Sequence, residues 1–209
     1  MPYTNEHKEK SRQRIVQSAT DLFCRYGFDK VSITQVMKLA KMTHGAFYGH
    51  FESKEALYKA SFRKALQNSR ATRLIKGPFA IRHLGNLVTG YLSLRDLGNQ
   101  QSPDIESFLS NDIANENTEV KKLYEESYFN LLRLLEKRIL ALTRLKKSPL
   151  TIRTIDVPDT ARAILASLIG AIAIAKSISH EKEREAIMAA SQKQIFTMLG
   201  LDDSYYAKV

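Results

Sequence analysis

Residues 32–58, SITQVMKLAKMTHGAFYGHFESKEALY, carry two short helical patterns only three or four residues apart, then an aromatic cluster and a third helix start. So short a connection forces the two helices to cross steeply, the geometry in which one helix can enter a DNA major groove while its neighbour crosses the backbone. Ser32 is placed to cap the first helix, with Gln35 at the spacing from which a side chain reaches back to the cap's own N–H. Val36, Leu39 and Ala40 then share one helical face. Thr43 offers a second cap, so a short helix is expected from His44 to His50; Ser53 opens a third, with Lys54 in its first turn.

In a helix-turn-helix the start of the second helix reads base edges while residues around it grip phosphates. His44, Gly45 and Ala46 hold those first positions. His44 can bond either a base edge or a phosphate, the Ala46 methyl can touch a thymine methyl, and Gly45 and Gly49 permit close approach. Thr34, Thr43, Tyr48 and Lys54 are the phosphate candidates, the last at a helix N-terminus where backbone N–H groups favour anions. Each threonine is equally well explained as a helix cap. His50 is expected to pack rather than read DNA, and Phe23, Phe47 and Phe51 to form core. Lys8, Lys10, Arg12 and Arg14 make a basic lead-in, suited either to a minor groove or to a solvated terminus.

From Ile15 to Tyr58 the chain resembles the N-terminal domain of TetR-type (tetracycline-repressor-like) regulators: an amphipathic helix ending LFCRYGFDKVSI, the two reader helices, then FYGHFESKEAL. Tyr48, His50, Phe51, Ser53, Lys54 and Glu55 fill that family's recurrent pattern. The resemblance implies base reading by the same helix start, backbone contacts from Tyr48 and Lys54, and a homodimer on a double-stranded palindromic operator, released by a small hydrophobic or aromatic effector, most simply as a repressor. It implies effector contacts on the middle helices, where Phe62, Leu66, Tyr91, Phe108, Tyr124 and Tyr128 stand; plain core explains the same residues. One departure is Lys41, where such repressors carry a turn glycine. A left-handed backbone costs a non-glycine residue about 1 kcal/mol or more.

The net charge is +10, and residues 1–64 hold twelve Lys and Arg against six Asp and Glu, so the basic density sits with the reader. Cys24 is the sole cysteine, which leaves no intramolecular disulfide or thiolate zinc site, fits a reducing cytoplasm, and is expected buried. MPYTNEHKEKSRQR lacks the apolar core of a signal peptide, and the longest uncharged apolar run, Ala163–Ala175, is below the roughly 20 residues of a bilayer span. No membrane association, metal or cofactor is expected. Nor is an enzyme: there is no nucleophile–base motif or glycine-rich phosphate loop, and the histidines at 7, 44, 50, 83 and 180 are scattered.

Helical periodicity throughout, with prolines at segment edges, predicts an all-α chain of about nine helices: a helix-turn-helix domain over 7–53 and a ligand-binding and dimerisation domain over 54–209. The helices are expected at 7–26 (stripe Ile15, Ala19, Leu22, Phe23, Tyr26; capped by Gly27), the two reader segments, 54–75 as a mechanical link, 79–97, 102–114, 117–145 (capped by Asn117), 158–179 and 182–199 with Gly200 beyond. Ala166, Gly170, Ala173, Ile187 and Ile195 make an apolar, small-residue face on the last two. The resemblance implies that these pair with their copies in a four-helix bundle; a buried hairpin within one subunit is the plainer reading. The rival function is a helical dimeric interaction protein of the same fold that binds no DNA.

Overall fold

The computed structural model describes residues 5–68, 81–93, 105–112, 115–144 and 156–201. Among them are eight α-helices, one 3-10 helix and no strand: α1 Asn5–Lys30, α2 Ile33–Leu39, the 3-10 segment His44–Gly49, α3 Lys54–Asn68, α4 Ile81–Tyr91, α5 Ile105–Asp112, α6 Thr118–Arg144, α7 Val157–Ser177 and α8 Glu181–Met198. The expected ends of the 54–75 and 79–97 helices, the Ser102–Pro103 start and most of the loop before Pro158 lie outside the described residues. The chain forms two compact units, residues 1–69 with 101–125 and residues 70–100 with 126–209. By packing, therefore, α3, α5 and the first turns of α6 belong with the reader.

Within the first unit, α1 buries Ile15, Ala19, Phe23 and Phe28. The expected stop at Gly27 takes the form of a kink: Gly27 adopts φ 79 and ψ 174, and one further turn follows to Lys30. Tyr26, expected in the apolar stripe, is 53% exposed, because the kink ends the regular spiral beside it. Helix α2 starts on the foreseen capping box: Ser32 Oγ accepts the Gln35 N–H at 3.2 Å, and Gln35 Oε1 accepts the Ser32 N–H at 2.7 Å. Its buried face is Val36, Met37 and Ala40; Leu39, expected inside, is 51% exposed. In a seven-residue helix the bend of the following turn, more than the i, i+3 rule, decides which side meets the core.

That turn runs through Lys41 at φ 55, the only non-glycine residue with positive φ among those described. The Met42 N–H bonds the Met37 carbonyl at 2.9 Å and the Lys41 N–H bonds the Lys38 carbonyl at 3.1 Å, so both orphan carbonyls of a Schellman end are satisfied with lysine at the left-handed position. Helix α3 is capped by Ser53 Oγ, which accepts the Ala56 N–H at 3.1 Å. Phe23, Phe28, Tyr58, Phe62 and Phe108 pack edge-to-face or stacked at 4.9–6.5 Å between centroids and are all at most 4% exposed. Each such ring contributes about 1.5–3 kcal/mol by leaving water.

In the second unit α7 and α8 pack along their length on Ala161, Ile164, Leu168, Ala171 and Ala175 from one and Met188, Ile195 and Phe196 from the other. Pro158 stands in the first turn of α7, as expected. The α8 cap was not foreseen: His180 Nδ1 accepts the Glu183 N–H at 3.2 Å. Gly200, at φ 65, ends α8. Helix α4 joins through Gln192, which donates to Thr89 Oγ1 at 3.0 Å. Of the described helices, α7 alone is long and apolar enough to cross a membrane, and one face of it is core here.

Candidate DNA-binding surface

The reader segment is tighter than expected. His44–Gly49 is a 3-10 helix, and Thr43 caps it with extended backbone but no side-chain hydrogen bond. With three residues per turn, Gly45 lies over Tyr48, Ala46 over Gly49, and the exposed His44 over Phe47, which is fully buried. Phe47 stacks on Phe51 at 5.9 Å and meets the Tyr48 ring edge-on at 5.2 Å.

Of the sequence-derived base readers, His44, Gly45 and Gly49 are exposed and Ala46 is half-buried. A Cβ at Gly45 or Gly49 would meet nothing within 4 Å, so internal packing does not require glycine at either position. The Tyr48 ring is 62% exposed and stands 6.0 Å from His44. Thr34 is not the α2 cap, since Ser32 holds that place, and Thr43 makes no cap bond; both threonines are exposed. That removes the cap explanation from Thr34, while Thr43 keeps the cap position without the side-chain bond.

Lys54 differs from its expected picture. It opens α3 but is half-buried, its Nζ 4.3 Å from the centre of the Phe28 ring. Burial lowers its pKa, while the carboxylates of Asp29, Glu55 and Asp112 act to raise it. Its ammonium therefore lies beside the reader on an aromatic platform that α1 supplies.

Sequence reasoning also undervalued Arg12 and His50. The Arg12 guanidinium sits 4.9 Å from the Phe51 ring centre, and His50 ends the reader segment with its Nδ1 buried and unbonded. Burial, and then the nearby charges of Lys8 and Arg12, lower the His50 pKa. These influences favour the neutral imidazole, and the Glu9 carboxylate acts against them. The signal for this was only the basic lead-in; the contact itself needs the fold.

The other candidate sets are placed as follows. Phe62, Phe108 and Tyr124 pack on one another in the first unit, with Phe62 against Tyr124 at 5.0 Å, and Leu66 is half-buried there. Tyr91 is buried in the second unit, and Tyr128 in that unit is 40% exposed. The six expected effector contacts thus divide between the two units. Of the expected dimer residues, Ala166 is exposed, Gly170, Ala173 and Ile187 are partly so, and Ile174 beside them is 52% exposed. Ile195 does not share that face: it is fully buried within the subunit, because it points from α8 into the α7 contact.

The family model "Bacterial regulatory proteins, tetR family" matches residues 15–61, the segment that builds this surface. The A-factor receptor protein of Streptomyces griseus is 44% identical over 46 residues, 22% of this chain and 17% of that protein. The probable acrEF/envCD operon repressor of Escherichia coli is 30% identical over 76 residues, 34% of each. The chain thus spans at most about a third of the length of these two relatives. The fold likeness reaches further: the reduced form of E. coli NemR superposes with a TM-score of 0.74 at 16% identity, over 92% of this chain and 100% of that one. Residues 15–61 thus form a tetR-family N-terminal domain, carried on a helical body with the same fold as solved tetR-family structures.

Proposed function

We propose that the protein is a ligand-responsive, DNA-binding transcriptional regulator, a repressor that holds a palindromic operator as a homodimer in the cytoplasm. The observation that carries the reading is the reader segment: His44, Gly45, Tyr48 and Gly49 are exposed and Ala46 is half-buried, while Phe47 anchors the segment in the core. Base reading is assigned to His44, Gly45, Ala46 and Gly49, and phosphate contact to Thr34, Thr43, Tyr48 and Lys54. Residues 54–209 then supply effector binding and dimerisation. The open strip Ala166–Gly170–Ala173 with Ile187 is the proposed meeting face of two copies.

The effector is proposed to be a small hydrophobic or aromatic molecule, bound on the helices that carry Phe62, Leu66, Tyr91, Phe108, Tyr124 and Tyr128. It can release DNA only by preferring a conformation with the wrong reader separation, since half-sites lie about 34 Å apart, one helical turn. Nothing in this scheme calls for catalysis. The relatives matched are named as a receptor and a repressor, which accords with it.

Selection from a random duplex library by the full chain tests the reading: it should enrich a palindrome with half-sites one turn apart. Hydrophobic compounds that raise the melting temperature should then bind more weakly when the enriched duplex is present, because coupling is reciprocal. A library that stays unenriched at low and moderate salt would sink the DNA reading and leave the interaction protein.

A further inference from the structure

Asp112 is the last residue of α5 and is 7% exposed. A carboxylate there faces the negative end of the helix dipole and gives up its hydration, so neither α5 nor the core gains from its charge locally. Its partners lie on other elements. Oδ1 accepts the backbone N–H of Phe28 at 2.9 Å and the Asn115 side-chain amide at 3.2 Å. Oδ2 accepts the Tyr58 hydroxyl, and the Tyr124 hydroxyl lies 3.4 Å from the same oxygen and 2.8 Å from that of Tyr58. The flanking amides extend the clasp: Asn111 Nδ2 donates to the Cys24 carbonyl at 2.7 Å and Asn115 Nδ2 to Asp29 at 3.1 Å.

Both residues so held neighbour Lys54, one in space and one along its helix. Phe28 is the platform under its ammonium, and Tyr58 stands one turn along the helix that Lys54 opens. We infer that Asp112 is a positioning residue for DNA binding: through Phe28 and Tyr58 it couples the segment 105–124 to the place of the Lys54 ammonium, and movement of that segment resets the cation. The inference rests on the DNA-binding reading for its purpose, but its geometry is testable without DNA.

The test uses the full chain and the variants Asp112→Asn and Tyr58→Phe. Lys54 is acetylated with an N-hydroxysuccinimide ester, and its rate is read by mass spectrometry against Lys59, an exposed lysine of the same helix. Because Asp112→Asn also removes a carboxylate that raises the Lys54 pKa, which alone quickens acylation, the deciding variant is Tyr58→Phe, which keeps that charge: in the folded variant the Lys54:Lys59 ratio should rise at least twofold, whereas a purely structural or purely electrostatic role of Asp112 would leave it unchanged. Affinity for the duplex that wild type selects should fall at least tenfold with base preference kept. A wild-type ratio in folded Tyr58→Phe overturns the inference, as does loss of the folded state in both variants, which would make Asp112 a stability residue only. Failure of wild type to select any duplex while the ratio still rises would instead count against the DNA reading.

Discussion

Asp112 Oδ1 accepts the backbone N–H of Phe28 at 2.9 Å across 84 residues of sequence, immediately beside the one residue, Gly27, that breaks the spiral of α1. Glycine at 27 leaves room for the bond. A Cβ built there would lie 3.2 Å from both the Asn111 carbonyl oxygen and Asp112 Oδ1, at a backbone φ of +79. Gly27→Ala should therefore combine a glycine-only conformation with a collision and lower stability by about 2–4 kcal/mol. Urea denaturation of the full chain checks this; a loss below 0.5 kcal/mol, on the order of an unstrained surface change, would mean that the kink relaxes freely.

Lys41 makes the opposite prediction. Its Schellman hydrogen bonds are complete, so lysine there costs only the left-handed backbone. Lys41→Gly should raise stability by about 0.5–1 kcal/mol, the steric relief exceeding the unfolded-state entropy that glycine adds. Lys41 is also exposed and basic, so DNA affinity measured in parallel tells whether the same lysine serves a phosphate.

The reader surface separates into two kinds of contact. Lys54→Ala should weaken the selected duplex and a random duplex alike and make the slope of log affinity against log salt shallower by about one unit. His44→Ala should instead relax preference at one base position by about 1–3 kcal/mol. Fluorescence anisotropy over a salt series measures both; an unchanged slope for Lys54→Ala removes it from the phosphate contacts, and uniform losses for His44→Ala make it one.

A Cβ at Gly170 meets nothing within 4 Å in the subunit, so a large side chain there has room in a single chain. Gly170→Leu should accordingly fold with unchanged helix content yet sediment as a monomer, and it should bind the palindrome weakly because two half-sites no longer act together. A folded variant that remains dimeric in sedimentation places the interface elsewhere.

The local features were legible in the sequence because short-range chemistry specifies them. Ser32 with Gln35, Ser53, Asn117, Pro158 and Gly200 each act within one helical turn, where spacing alone fixes which groups meet. The exposure of His44, Gly45 and Gly49 followed from the same reasoning, since one aromatic anchor every three or four residues leaves the rest outside. The family likeness rested on that same stretch.

Long-range relations were decided only by the tertiary structure. Nothing near Asp112 in the sequence announces Phe28 or Tyr58, because a buried carboxylate's partners are set by which helices pack, and these lie 84 and 54 residues away. The same holds for Lys54 over Phe28, for the outward turn of Leu39 and Tyr26, and for Ile195, whose apolar side chain suits a dimer face and a subunit core equally well until burial chooses. Periodicity states that a face is apolar, and only packing states what covers it.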